Sequence, residues 1–248
     1  MRTYTARIRE IRLEAQGQAA WIDCPAAAVP TPGQYLLANN TAEAEAPLAT
    51  ALFPAAYGET GFLAAPLSPT MNKLTAYSTA NKLTAYSTAW MPGAELRLRG
   101  PLGRGFALPH SARRLALIDL GGGAMRLLPL VAAELANGAD VALFSETPPT
   151  LLPSSVEINP LRSLSEALGW ADFMAVDVSL DEVENLAELL RLPTGQHLPC
   201  PGQALVAAPM PCGGAAECGV CAVLVRRRWK LACTDGPVFD LRDLVSRG

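Results

Sequence analysis

The sequence predicts a multi-domain α+β chain: β structure over roughly the first hundred residues, then a doubly wound parallel α/β region, then a short cysteine-rich segment. Three observations carry this reading. Apolar and polar residues alternate along the N-terminal segments, the period changes at Arg114, and four of the six cysteines fall between Cys212 and Cys233. Strict alternation marks half-buried strands, whereas short apolar runs alternating with helical patterns mark a parallel sheet between helices.

TYTARIREIRL and QAAWIDC alternate, and TPGQYLLA supplies a Pro-Gly turn leading into a further strand. From Thr41 to about Ala65 the chain is Ala-rich and weakly patterned. LRLRGPLGRGF, from Leu96, reads as a short strand closed by Gly100, Pro101, Gly103 and Gly105, breakers that mark a domain boundary. Between these segments NKLTAYSTA occurs twice in tandem, at Asn72–Ala80 and Asn81–Ala89. Two copies are too few for a solenoid, so the repeat reads as a duplication tolerated in a loop or surface helix.

After Arg114, LALIDLGGG is an apolar strand entering a glycine turn, and AMRLLPLVAAELANG a helix ended by Gly138. ADVALFSE, SSVEINP and ADFMAVDVS read as buried strands, and LDEVENLAELLRL as a helix. PTGQHLPCPGQ then leads into the cysteine segment.

Composition narrows the function classes. Half of the 248 residues are hydrophobic and 17% are charged, which fits a folded protein with a substantial core. A net charge of -3 offers no field to draw nucleic acid or an acidic membrane. The opening MRTYTARIREIRLEAQG lacks the apolar core of a signal peptide, and no apolar run is long enough to cross a bilayer. The expectation is a cytoplasmic protein with neither nucleic acid nor membrane as partner. In that compartment six cysteines argue for metal or redox chemistry rather than disulfides. Cys24 and Cys200, apart from the group, read as small buried apolar residues. His110 and His197 sit in proline-flanked loops and read as solvated.

The remaining four cysteines, Cys212, Cys218, Cys221 and Cys233, follow C-x5-C-x2-C-x11-C. Four thiolates suit tetrahedral zinc or an iron–sulfur cluster. Zinc ribbons carry two C-x2-C knuckles and this segment has one, so the spacing lies closer to the plant-type [2Fe-2S] pattern, C-x4-C-x2-C…C. Gly213, Gly214, Ala215, Ala216 and Glu217 fill the first loop with small residues, which lets backbone amides approach sulfur. Val220, Ala222 and Val223 offer an apolar wall. Arg226, Arg227, Arg228 and Lys230 form a basic run that reads either as a solvated strand edge or as a docking patch for an acidic redox partner.

PCGGAAECGVCAV…WKLACTDGPVFDL resembles the C-terminal iron–sulfur segment of the electron-transfer subunit of class B dihydroorotate dehydrogenase. The closing run matches Cys233, Thr234, Asp235, Gly236, Pro237, Val238 and Phe239. The first cysteine loop is one residue longer than the plant-type pattern. TPGQYLL (Thr31–Leu37), GPLGRGF (Gly100–Phe106) and GGGAMRLLPL (Gly121–Leu130) resemble the family's Pro-Gly-Gln strand, barrel-exit motif and glycine turn. The resemblance implies a flavin-binding-type antiparallel β-barrel over residues 1–106, a nucleotide-binding-type α/β domain over 107–205, and a [2Fe-2S] domain over 206–248 held by Cys212, Cys218, Cys221 and Cys233. It implies a subunit not catalytic alone, relaying electrons to or from a flavoprotein. The partner it suggests is the dihydroorotate dehydrogenase catalytic subunit of pyrimidine biosynthesis, or another flavoprotein. The alternative is a non-catalytic partner that has lost flavin and NAD binding and keeps the cluster for structure or assembly.

Two departures qualify the expectation. The family's flavin strand carries an Arg-Pro-x-Ser motif, and APLATALFPAAYG has neither arginine nor serine; LAAPLSPTMNK lacks the later Gly-x-Gly-Thr turn. The expectation is that FAD binds weakly or not at all, since phosphates need donors. The family's Asp-Gly-Ser-x-Gly and Cys-Gly-Pro nucleotide motifs are not visible either, and the GGG turn suits phosphate binding or close helix–strand packing equally.

Overall fold

The computed structural model describes residues 2–14, 17–40, 50–65, 90–121, 124–150, 152–192 and 198–245. The duplicated NKLTAYSTA, His197, Gly122, Gly123 and most of LAAPLSPTMNK lie outside the described residues.

Seven strands form the N-terminal antiparallel sheet: β1 (Thr3–Glu14), β2 (Gly17–Asp23), β3 (Tyr35–Asn40), β4 (Thr50–Leu52), β5 (Pro54–Gly58), β6 (Gly61–Ala64) and β7 (Glu95–Leu102). Their order is β4-β3-β7-β1-β2-β6-β5. The two edge strands, β4 and β5, are separated in the chain only by Phe53, so the sheet's edges meet and the sheet closes into a barrel. Ile8, Ile22, Leu36, Leu52, Phe62, Leu96 and Leu98, drawn from six of the strands, fill its interior as one cluster. The alternation in TYTARIREIRL is the inward/outward alternation of a barrel wall.

The region from Ala51 to Ala65 reads as weakly patterned yet builds three strands. β6 is buried at all four positions, so no alternation was available to mark it. β7 likewise continues through Gly100 and Pro101 to Leu102, where the sequence expectation ends a strand.

The second sheet contains β8 (Arg114–Asp119), β9 (Asp140–Phe144), β10 (Glu157–Asn159), β11 (Phe173–Ser179), β12 (Gly202–Ala207) and β15 (Val238–Asp240), in the order β10-β9-β8-β11-β12-β15. The first five are mutually parallel, and the order reverses at β8, as expected of a doubly wound sheet. Helix α1 (Leu128–Ala136) follows β8, with Pro129 in its first turn and Gly138 just past its end. β10 corrects the reading of SSVEINP as a buried strand: it is a three-residue edge strand with Glu157 and Ile158 exposed. LDEVENLAELLRL winds mostly as a 3-10 turn over Leu180–Asn185 before α3 (Leu186–Leu189); α2 (Leu164–Ala167) is equally short.

The C-terminal segment makes the hairpin β13 (Ala222–Val225) and β14 (Arg228–Leu231), then β15 and α4 (Leu241–Val245). β15 pairs antiparallel with β12, so the last strand of the chain completes the edge of the second sheet.

No helix among the described residues is long and apolar enough to cross a membrane.

Candidate cluster site

The cysteine segment is seated on the barrel. Gly103 comes so close to the Gly236–Pro237 turn that a Cβ there would lie 2.6 Å from Pro237 and 2.7 Å from the Gly236 carbonyl; Gly33 meets Val238 and Phe106 in the same way. The Arg104 N–H donates to the Gly236 carbonyl at 2.6 Å. Gly33 of TPGQ and Gly103 of GPLGRGF, read from sequence as turn and exit signals, are therefore part of the surface against which the Gly-Pro-Val-Phe run packs. Two further residues, neither marked by any local sequence signal, hold the cysteine loops. The Tyr35 hydroxyl, fully buried on β3, donates to the Cys233 carbonyl at 2.9 Å. Arg99 on β7 donates through Nη2 to the Gly213 carbonyl.

The thiols are brought together in two pairs. The Cys218 thiol donates to the Cys212 sulfur, and the Cys233 thiol donates to the Cys221 sulfur. Cys233 stands in the turn directly after β14, and the Ala232 N–H donates to the Cys221 carbonyl at 2.9 Å, which fixes the second pair. Cys212 also lies close enough to Cys233 to raise its pKa, so the two pairs share one neighbourhood. A mononuclear zinc site gathers four ligands about one point, whereas a [2Fe-2S] cluster takes two thiolates on each iron. Contact in twos suits the latter.

Backbone amides line the same space. Gly213, Gly214, Ala216 and Gly219 all have positive φ, and this winding turns the loop's N–H groups inward. Burial alone would raise the Cys212 pKa, but the N–H groups of Glu217, Cys218 and Ala215 and the Cys218 thiol bring it below the usual thiol range. Cys233 is shifted up, first by burial and then by the neighbouring Cys221, while the Ala216 N–H works against the shift. Such N–H···S donors stabilise negative sulfur and tune its potential. Donor set, pairing and amide cradle thus suit a two-iron cluster, the loop of five residues notwithstanding. The first pair lies at the surface, with Cys218 exposed, and the second is buried.

Tyr35→Phe is expected to cost about 1–3 kcal/mol, because the buried Cys233 carbonyl loses its donor. Thermal unfolding measures it; an unchanged midpoint would show that the carbonyl finds another partner.

The other sequence candidates fall outside this site. Cys200 is buried and Cys24 half-buried, each raised to about 11 by burial first. His110 is exposed in its loop.

Doubly wound sheets take ligands at the carboxyl ends of their strands, where the order reverses. Here that place, between β8 and β11, holds an internal ionic network. Asp119 and Asp177 are register partners at the strand ends. The Arg126 guanidinium donates to both Asp177 oxygens at 2.7 and 2.6 Å, and the Ser145 hydroxyl to Asp119 at 2.8 Å. Arg126 is 2% exposed and Asp177 0%. Burial pushes the Asp177 carboxyl up, and Arg126 draws it back. A Cβ on Gly121 would lie 2.9 Å from the Ser179 nitrogen and 3.0 Å from an Asp177 oxygen, so close packing accounts for this first glycine of the GGG turn.

In the barrel, the described part of the flavin-type strand offers Thr50 and Tyr57 as its hydroxyls, and Tyr57 donates its own to the Pro30 carbonyl at 3.0 Å. No arginine stands in that stretch to meet a pyrophosphate.

Residues 208–245 match the family model for the iron–sulfur cluster binding domain of dihydroorotate dehydrogenase B. Among solved structures, the fold is similar to the NADH-dependent reduced ferredoxin-NADP oxidoreductase of a study of flavin-based electron bifurcation, with TM-score 0.68 and 18% identity over 96% of this chain and 88% of that one. The ferredoxin reductase in carbazole 1,9a-dioxygenase gives 0.58 and 16%, over 80% and 68%. Ferredoxin-NADP+ reductase from Plasmodium falciparum gives 0.55 and 10%, over 79% and 91%. No curated protein matches the chain in sequence.

Proposed function

Starting from a chain similar to the dihydroorotate dehydrogenase B electron-transfer subunit, with that enzyme's kind of iron–sulfur domain on a ferredoxin-reductase-like fold, we propose that Cys212, Cys218, Cys221 and Cys233 hold a [2Fe-2S] cluster serving a separate flavoprotein. The observation that carries the reading is the two-plus-two pairing of thiols inside a loop of inward amides. When bound, such a cluster exchanges single electrons and leaves two-electron chemistry to a flavin. The chain's own residues do the rest. Inward amides balance negative charge on sulfur, Tyr35 and Arg99 fix both cysteine loops to the barrel, and exposed Glu217, Cys218 and Gly219 leave one edge open to a partner.

The partner this reading favours is a dihydroorotate dehydrogenase catalytic subunit; the likeness of residues 208–245 to that enzyme's iron–sulfur domain supports it. The test mixes the anaerobically reduced protein with that subunit from the same source and follows flavin reduction in a stopped-flow instrument. Bleaching of the partner's flavin in step with reoxidation of the cluster supports the relay. A stable complex without electron transfer would favour a structural role.

A flavin is compatible with the fold, yet APLATALFPAAYG supplies little to hold its phosphates. Protein purified without added flavin is expected to carry well under one FAD per chain. Stoichiometric FAD would mean that backbone groups replace the missing arginine.

A further inference from the structure

The β13–β14 hairpin carries features that neither the cluster nor the fold needs. Leu224 and Trp229 are cross-strand register partners, so they share a face, and they are 49% and 68% exposed. Val223 and Val225, on the opposite face, are buried. Among the described residues, the other large exposed apolar ones, Leu13, Tyr57, Met91 and Ile158, are scattered along the chain. Scattered apolar residues are ordinary, but an aromatic–aliphatic pair side by side is not. Tryptophan and arginine are also the residues most enriched where interfaces concentrate their binding energy.

The turn joining the strands adds a second, independent observation. Arg226 and Arg227 both adopt the left-handed conformation, with φ of 47° and 62°. A two-residue hairpin of this kind favours Asn-Gly, and a long side chain there is strained. Arg226 has a partner in Asp243, and Lys230 lies 3.4 Å from Asp235. Arg227 and Arg228 have no acidic partner among the described residues. Two cations held in or beside a strained turn, with no internal partner, suit an acidic group outside the chain.

The place of the hairpin supplies the reason. β13 begins one residue after Cys221 and β14 ends two before Cys233, so both strands lead straight out of the buried thiol pair. Trp229 stands two residues before the end of β14 and four before Cys233 in the chain. We propose that the Leu224–Trp229 face, with Arg227 at the turn beside it, is the docking surface for an acidic face of the flavoprotein partner. This rests on the relay reading above, and it adds where the partner binds and what its surface must look like: an apolar pocket for the indole with a carboxylate near the hairpin turn.

The test measures the dissociation constant of the cluster-loaded full chain with the dihydroorotate dehydrogenase catalytic subunit, at low and high salt. Trp229→Ser is expected to weaken binding roughly thirtyfold, as loss of an interfacial anchor does. Arg227→Gly is expected to weaken it roughly fivefold at low salt and less at high salt. The same substitution should raise the unfolding midpoint, because glycine fits the left-handed turn. A purely structural arginine would not give this opposition of stability and affinity. Visible absorbance confirms that both variants keep their cluster. Unchanged affinity in Trp229→Ser would overturn the docking surface and leave the relay standing. No complex with the wild-type chain at any salt would overturn both. A wild-type dimer in sedimentation that Trp229→Ser dissolves, with partner affinity unchanged, would assign the face to a second copy and overturn the proposal.

Discussion

Cys218→Ser and Cys221→Ser are each expected to abolish the visible absorption of the purified protein and to reduce its iron to background. Serine oxygen is a poor replacement for thiolate on iron, and each change leaves one thiol pair with a single member. Folding should suffer with the cluster, since ligand binding of this kind is also folding free energy. The Cys221 change should be the more damaging. Cys221 is buried in the same apolar core as Val223, Ala232 and Val238, whereas Cys218 is exposed. Limited proteolysis should therefore cut the C-terminal segment faster in Cys221→Ser than in Cys218→Ser. Retained absorption and iron in both variants would remove the ligand assignment.

Arg126→Ala is expected to destabilise the chain by about 3–5 kcal/mol, the usual consequence of removing one partner from a buried ion pair. In a chain of 248 residues this corresponds to a drop of about 6–20 °C in the unfolding midpoint. Asp177 and Asp119 would then face each other at the ends of β11 and β8 without the guanidinium that now donates to Asp177. Combining Arg126→Met with Asp177→Asn should recover part of the loss, because both charges leave together. A loss below about 1 kcal/mol in the single variant would mean that water enters the crevice and solvates the aspartates.

The legibility of this chain in its sequence follows physical lines. Strands with one wet face, such as TYTARIREIRL, announce themselves by alternation. β6 does not, because Gly61, Phe62, Leu63 and Ala64 are all buried and read as an undifferentiated apolar run. The four cysteines were legible as a group by their spacing, C-x5-C-x2-C-x11-C. Tyr35 and Arg99 were not, since they reach the cysteine loops from 198 and 114 residues away and nothing local distinguishes them from any tyrosine or arginine on a strand. Arg126 was hidden for a related reason: a cation inside AMRLLPLVAAELANG looks like a solvated helix residue until β11 places Asp177 beneath it. Short edge strands such as β10 were overread, because three residues cannot show which face is buried.

The central claim is that the paired thiols hold two irons rather than one zinc. Its most direct measurement is the metal and acid-labile sulfide content of protein purified without air, read with its visible and electron paramagnetic resonance spectra. The account predicts about two iron and about two sulfide per chain, with a paramagnetic signal appearing on one-electron reduction. About one zinc per chain with no sulfide and no visible absorption would contradict it.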